Sequence, residues 1–149
     1  MGFRSYEKLD VAREQLEVAL RLFFDGTELF AVITLAGAAE VLLGAYVKAK
    51  GDTTSLDDLI KGAVQISSVL SGSPSKPTDV VWIANYPRNA AKHMEDAADS
   101  VIWVDLKRDA TDLLSRAVDN YCRLMRHHDL PESELIERFN RYRVSRESE

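Results

Sequence analysis

The chain has 149 residues, 46% of them hydrophobic and 29% charged, enough for one domain that buries roughly 70% of its unfolded surface without disulfide or metal staples. Cys122 is the single cysteine, so an internal disulfide is excluded and a reducing, cytoplasmic setting is expected. The formal charge of −5, from 19 Lys and Arg against 24 Asp and Glu, excludes a protein that coats nucleic acid by bulk charge and leaves a local basic site open.

Arg4 and Glu7 put charge where an export signal needs an apolar run, so none is expected. Leu9, Ala12, Leu16, Ala19, Leu20 and Phe23 repeat at the spacing of one helical face, and Asp25-Gly26 supplies a left-handed stop, which predicts a first helix. Thr27 is placed to cap a second helix with the stripe Leu29, Val32, Ile33, Ala36, Ala39, Leu43 and Val47, ending at Lys48, Lys50 and Gly51. Glu40 interrupts this apolar stretch and Thr34 and the glycines dilute it, so it reads as a buried core helix and not a membrane span. The two helices are expected to pair as an antiparallel hairpin.

Ser55 with Asp58 resembles a capping box for a third helix to about Ser71, with Leu59, Ile60, Ala63, Ile66 and Leu70 as its core face. Gly72 to Thr78 is a loop by composition, Val80 to Ala84 reads as a helical turn, and Pro87 suits the first turn of a fourth helix carrying Ala90, Ala91, Met94, Ala97 and Ala98. Val101 to Val104 has extended character. Asp105 is placed to cap the clearest helix, with Ala110, Leu113, Leu114, Ala117, Val118, Tyr121, Leu124 and Met125 in register. Asp129-Leu130-Pro131-Glu132 opens a last short helix with Leu135, Ile136 and Phe139, and its end carries Arg138, Arg141, Arg143 and Arg146. The chain therefore reads as a single all-α domain over residues 1–149, an antiparallel bundle of four to five main helices plus a short C-terminal helix.

Chemistry concentrates in Tyr86-Pro87-Arg88-Asn89-Ala90-Ala91-Lys92-His93, which brings a guanidinium, an amide and an imidazole within about two turns of the expected helix start. A helix start offers unpaired N–H groups and the positive end of the dipole, so phosphate is the natural ligand there. Such a position disfavours the imidazolium form and suits a base. Asn89 and His93 share one side of the helix, whereas Arg88 and His93 differ by about 140° around it. One helix does not focus both on one atom, but two copies meeting on a two-fold axis would, and Ala90 and Ala91 are small enough for close approach.

This arrangement, Arg, a polar residue, three further residues and His at the start of a late helix in a small all-α domain, resembles the HEPN (higher eukaryotes and prokaryotes nucleotide-binding) family. Thr34-Leu35-Ala36-Gly37-Ala38-Ala39-Glu40 followed by Leu42-Leu43-Gly44 is similar to the second helix of a group of bacterial HEPN-like proteins. The resemblance runs from about Leu9 to Met125 and implies a homodimer with a composite, metal-independent endoribonuclease site, acting on RNA or a nucleotide without cofactor, in a toxin, defence or stress role with a neutralising partner protein. It assigns catalysis to Arg88, Asn89 and His93: His93 as general base or acid toward the ribose 2′-OH, Arg88 steadying the phosphorane, Asn89 orienting ring or substrate. A catalytically silent nucleotide- or protein-binding module of the same family is the alternative, and an Arg and a His solvated on a helix surface is the competing reading of the motif.

Lys92, Glu40 and Asp96 complete the candidate binding set. Glu40, a lone acid in an apolar helix, either pairs with Arg88 or His93 or reaches solvent at an edge. Asp96 is placed to tune the His93 ring. Arg123 to His128 repeats the Arg-to-His spacing but is expected at a helix C-terminus, where cations rather than phosphates are favoured. His93, His128 and Asp129 faintly resemble a hydrolase metal set, against which stand a dipole role for the histidines and a capping role for Asp129. Glu95, Asp96 and Asp99 read as a solvated acidic turn, Trp82 and Trp103 as core or interface anchors, Cys122 as a buried structural thiol, and Gly37 and Gly44 as helix-packing points.

Overall fold

The Asp105 carboxylate accepts the Arg108 N–H at 3.2 Å, satisfying one of the orphan donors at a helix start, and the chain behind it runs uninterrupted to Leu124. The computed structural model describes residues 2–148. Their helices are α1 (Lys8–Asp25), α2 (Leu29–Ala49), α3 (Ser55–Ser71), α4 (Pro77–Ala90), α5 (Leu106–Leu124) and α6 (Glu134–Glu147), with a 3-10 turn at Ala97–Asp99. Among the described residues there is no strand, and the fold is an all-α bundle with a short C-terminal helix.

α2 is the central element and packs along both α1 and α5. Leu16, Leu20 and Phe23 from α1, Val32, Ile33, Leu43 and Val47 from α2 and Leu113, Leu114, Val118 and Leu124 from α5 are all buried. Each such side chain contributes about 1.5–3 kcal/mol by leaving water. The α1–α2 turn closes on Gly26 at φ 78°, whose N–H caps Leu22 O, a left-handed position that glycine adopts without steric cost. α6 lays Phe139 edge-on against Phe23 with ring centroids 5.5 Å apart.

Several local expectations are corrected. α2 starts behind Glu28 without a side-chain cap, because the Thr27 hydroxyl donates to the Glu28 carboxylate instead. The capping box of α3 lies one residue earlier than Ser55 and Asp58: Thr54 Oγ1 accepts the Asp57 N–H at 3.1 Å and the Asp57 carboxylate accepts the Thr54 N–H at 3.0 Å. α6 starts at Glu134, where the Ser133 hydroxyl accepts the Ile136 N–H, and not at Asp129 to Glu132.

The larger corrections concern α3 and α4. Leu59, Ile66 and Leu70, expected to face the core, are exposed, and Ser55 is the one buried residue of α3. Val80 to Ala84 and Pro87 belong to a single helix. Pro77 takes the N-terminal position at which a missing N–H costs nothing, while Pro87 opens the last turn and cannot donate to the Ile83 carbonyl. Met94, Ala97 and Ala98, expected within a fourth helix, lie in the irregular connection to α5.

Candidate functional site

The centre of the site is a carboxylate inside the bundle. Glu40 stands on the packed face of α2 and is 4% exposed. A lone buried carboxylate is costly, and two guanidinium groups from other helices meet it. Its Oε2 accepts Arg88 Nη1 of α4 at 2.6 Å, and its Oε1 lies 3.6 Å from Arg116 Nε of α5.

Arg116 is 6% exposed and donates through Nη2 to Asn85 Oδ1 of α4 at 3.1 Å, while its buried Nε has no hydrogen-bond partner. Burial pushes the Arg116 guanidinium down and the Glu40 carboxylate pulls it back. Asn120, fully buried one turn further along α5, donates to the Glu40 backbone carbonyl at 3.4 Å and accepts the Ser55 N–H at 2.9 Å. The cluster thus sets two cations against one carboxylate and ties α2, α4 and α5 together, with Asn120 extending it to the start of α3. The Arg88 side chain is 20% exposed and keeps donors for an outside acceptor.

Close approach of α4 to α2 depends on Gly37. A Cβ there would stand 2.9 Å from Arg88 Cβ, so the missing side chain is the space in which Arg88 lies. Gly44 plays the milder role, its absent Cβ falling 3.4 Å from Asn120 Nδ2. Both are helix-packing points.

The motif does not stand at a helix start. Arg88 occupies the last turn of α4 and Ala91 is the C-cap. The helix end offers carbonyl groups, which favour cations and cradle no phosphate, and the criterion that separated this motif from Arg123 to His128 no longer separates them. The His93 N–H still donates to Asn89 O at 2.9 Å, so the last helical hydrogen bond reaches His93. The imidazole is exposed beside Lys92, Met94 and Asp99 at an open 250 Å³ depression. Arg88 opens onto a different one, of similar volume, between Glu40, Gly44 and Asn120. The structure therefore brings Arg88 to Glu40 and leaves His93 on another face of the same chain.

Asn89 and Lys92 are exposed. Asp96 Oδ1 accepts the Ala98 N–H at 2.8 Å and caps the 3-10 turn. His127 pairs with Asp52 at 2.6 Å, and among the described residues no three His, Cys, Asp or Glu side chains group as a metal requires, so His93, His128 and Asp129 do not assemble. Trp82 and Trp103 are surface residues rather than core anchors. Cys122 is half-buried, and burial pushes its thiol up. Of the C-terminal arginines, Arg143 pairs with Asp119 at 2.9 Å and Arg138 stacks over Phe24 at 4.0 Å.

Arg116, Asn85 and Asn120 were not singled out from the sequence. The signal was present for two of them: Arg116 and Asn120 fall three and seven residues after Leu113, on the apolar stripe of α5, where a polar side chain needs a buried partner. Comparison with protein-family models, curated proteins and solved structures returned no match for this chain.

Proposed function

We propose that this chain is a HEPN-like, homodimeric, metal-independent endoribonuclease whose composite site joins Arg88 and His93 from two copies. The observation that carries the reading is the buried Glu40 carboxylate, which orients Arg88 while Arg116 supplies a second positive charge beneath it. A guanidinium held in this way is preorganised for the charge that develops on a phosphorane. Since Arg88 and His93 open onto different depressions of one chain, a second copy is needed to bring the two groups together.

The outer face of α2 supplies a surface for that copy. This helix is a long apolar run of which only about half is buried. Phe30 and Val41 lie exposed on it with Thr34 and Ala45 at the same helical face. Two such faces in contact bury what the isolated chain leaves in water.

In the proposed reaction one His93 removes the proton of the ribose 2′-OH, and the 2′ oxygen forms its bond to phosphorus. The bond from phosphorus to the 5′ oxygen breaks, and His93 of the partner subunit returns a proton to that leaving oxygen. The products are a 2′,3′-cyclic phosphate and a 5′-hydroxyl. Arg88 neutralises the non-bridging oxygens, and Asn89 and Lys92 hold the flanking backbone. Such an enzyme belongs in the cytoplasm, in a toxin, defence or stress role, restrained by a neutralising partner.

The test is cleavage of total RNA in EDTA by wild type, His93→Ala, Arg88→Ala and Val41→Glu, each checked for fold and oligomeric state. Chelator-resistant cleavage that leaves cyclic phosphate ends, is lost in the first two variants and is lost with the dimer in the third carries the proposal. The second reading, a silent binding module, is favoured by the place of Arg88 in the last turn of α4, where the helix end offers carbonyl groups and cradles no phosphate. A dimeric, folded wild type that leaves RNA intact selects it.

A further inference from the structure

The α3–α4 hairpin does not close tightly on α5, because α3 brings no buried apolar side chain to the bundle. The space left is a cleft of about 580 Å³, walled by Leu59 and Ala63 of α3, Val80, Ile83 and Ala84 of α4 and Leu113 of α5. A mostly apolar cleft of this volume, with a few polar groups in its lining, has the character of a small-molecule site.

One charged residue of that lining is nine-tenths buried. Arg116 is 6% exposed and stands between the cleft and Glu40. A guanidinium has five N–H donors; the bond to Asn85 Oδ1 at 3.1 Å uses one, and the buried Nε has no hydrogen-bond partner. Glu40 does not neutralise it. That carboxylate is engaged by Arg88 at 2.6 Å and lies 3.6 Å from Arg116 Nε, beyond hydrogen-bond reach. With two guanidinium groups against one carboxylate, the cluster holds one positive charge more than it can pair, and a buried charge is costly without a counter-charge. The remaining charges of the cleft do not supply one. Arg108, Asp109 and Asp112 lie one to two turns before Arg116 on α5, and Asp112 faces Arg108 at 3.9 Å with both side chains mostly exposed.

We propose that this cleft binds a small amphipathic monocarboxylate, whose carboxylate meets Arg116 and whose hydrocarbon body lies along Leu59, Val80 and Ile83. A planar carboxylate fits the guanidinium fork, and its single negative charge balances the single surplus positive charge. Asp109 and Asp112 repel a second one, so a dicarboxylate is disfavoured. Burial of the hydrocarbon body makes affinity grow with its length.

The probe is octanoate, titrated calorimetrically into the wild-type chain at neutral pH, beside hexanoate, decanoate, the uncharged octan-1-ol and the dicarboxylate suberate. The expected result is saturable binding of one octanoate per chain, tightening about 4-fold per added methylene across the monocarboxylates. Octan-1-ol and suberate are expected to bind about 10-fold or more weakly than octanoate. Ile83→Glu places a carboxylate in the wall at an exposed position and should weaken octanoate by about 10-fold or more. Leu70→Glu, at another exposed apolar residue of α3 that does not line the cleft, should leave binding unchanged. Arg116→Met should weaken octanoate about 10- to 100-fold, and Ile83→Glu carries the test if that variant does not fold. Absence of saturable binding overturns the proposal. So does octan-1-ol binding as tightly as octanoate, which would leave Arg116 no part in it, or an equal loss in Leu70→Glu and Ile83→Glu, which would place the hydrocarbon elsewhere on the exposed apolar surface.

Discussion

Gly37 on α2 and Arg88 on α4 are matched across their helix interface: a Cβ on Gly37 would stand 2.9 Å from Arg88 Cβ and 3.0 Å from its Cδ. The distal atoms of a flexible arginine can move aside, but its Cβ is fixed to the α4 backbone. The pairing therefore sets the height at which α4 rides over α2, and with it the reach of Arg88 to Glu40.

Gly37→Ala is accordingly expected to destabilise the chain by about 1–3 kcal/mol, the usual cost of overpacking, and to push Arg88 off Glu40. Gly62→Ala is the control, since nothing lies within 4 Å of a Cβ there, and in a helix interior the change should stabilise by about 0.5–1 kcal/mol. Urea unfolding of both variants checks the pair, and a neutral Gly37→Ala would sink the account.

Glu40→Ala leaves two buried or half-buried guanidinium groups without their carboxylate, and loss of one partner of a buried ion cluster costs about 3–5 kcal/mol. Replacing the cluster as a whole, Glu40→Leu with Arg88→Leu and Arg116→Met, should recover most of that loss, because no charge is then stranded. Thermal unfolding of the single and triple variants separates a stranded charge from simple loss of volume: equal losses in both would refute the charge argument.

The helices that hold this cluster differ in how far the sequence discloses them. In α5 the Asp105 cap, the 3.6-residue period and the absence of Gly or Pro all agree, so its span and buried face are legible. In α3 the stripe Leu59, Ile66 and Leu70 is a true helical face, but periodicity shows that a face exists and not what covers it, and here the chain leaves it exposed. Pro87 misled because a proline at a helix start and one in a last turn look alike in sequence; Pro77 already occupied the start. The Glu40–Arg88 contact was one of the options the lone acid left open, whereas Arg116 was hidden as one more cation on a charged helix.

Acid should weaken the start of α3 first. The Thr54 N–H bonded to the Asp57 carboxylate holds it below the usual carboxylate range, with Lys48 adding to the effect, and the His127 hydrogen bond lowers Asp52 in the preceding loop. A carboxyl whose folded pKa is depressed contributes stability that is present above its unfolded value near 3.8 and is lost as pH falls through the folded value. Asp57→Asn should therefore flatten the fall in unfolding free energy below about pH 4, and Thr54→Ala should cost about 1 kcal/mol at neutral pH. An unchanged acid limb in Asp57→Asn would remove the capping box as its source.

Asn120 decides how firmly the α3–α4 hairpin is docked. α3 brings no buried apolar side chain to the bundle, so polar contacts hold it: Asn120 Oδ1 to the Ser55 N–H at 2.9 Å, Asp58 to Arg123 at 2.7 Å, and Asn85 of α4 to Arg116 at 3.1 Å. Asn120→Ala leaves the Ser55 N–H in a buried position without an acceptor, a loss of about 1–3 kcal/mol. Because α1, α2 and α5 keep their apolar core, the loss should appear as local opening and not as uniform weakening. Hydrogen exchange is expected to speed up across residues 55–90 while the centres of α2 and α5 stay protected. Uniform acceleration would show instead that the hairpin and the core open as one unit, and that Arg88 on α4 cannot move without unfolding the bundle.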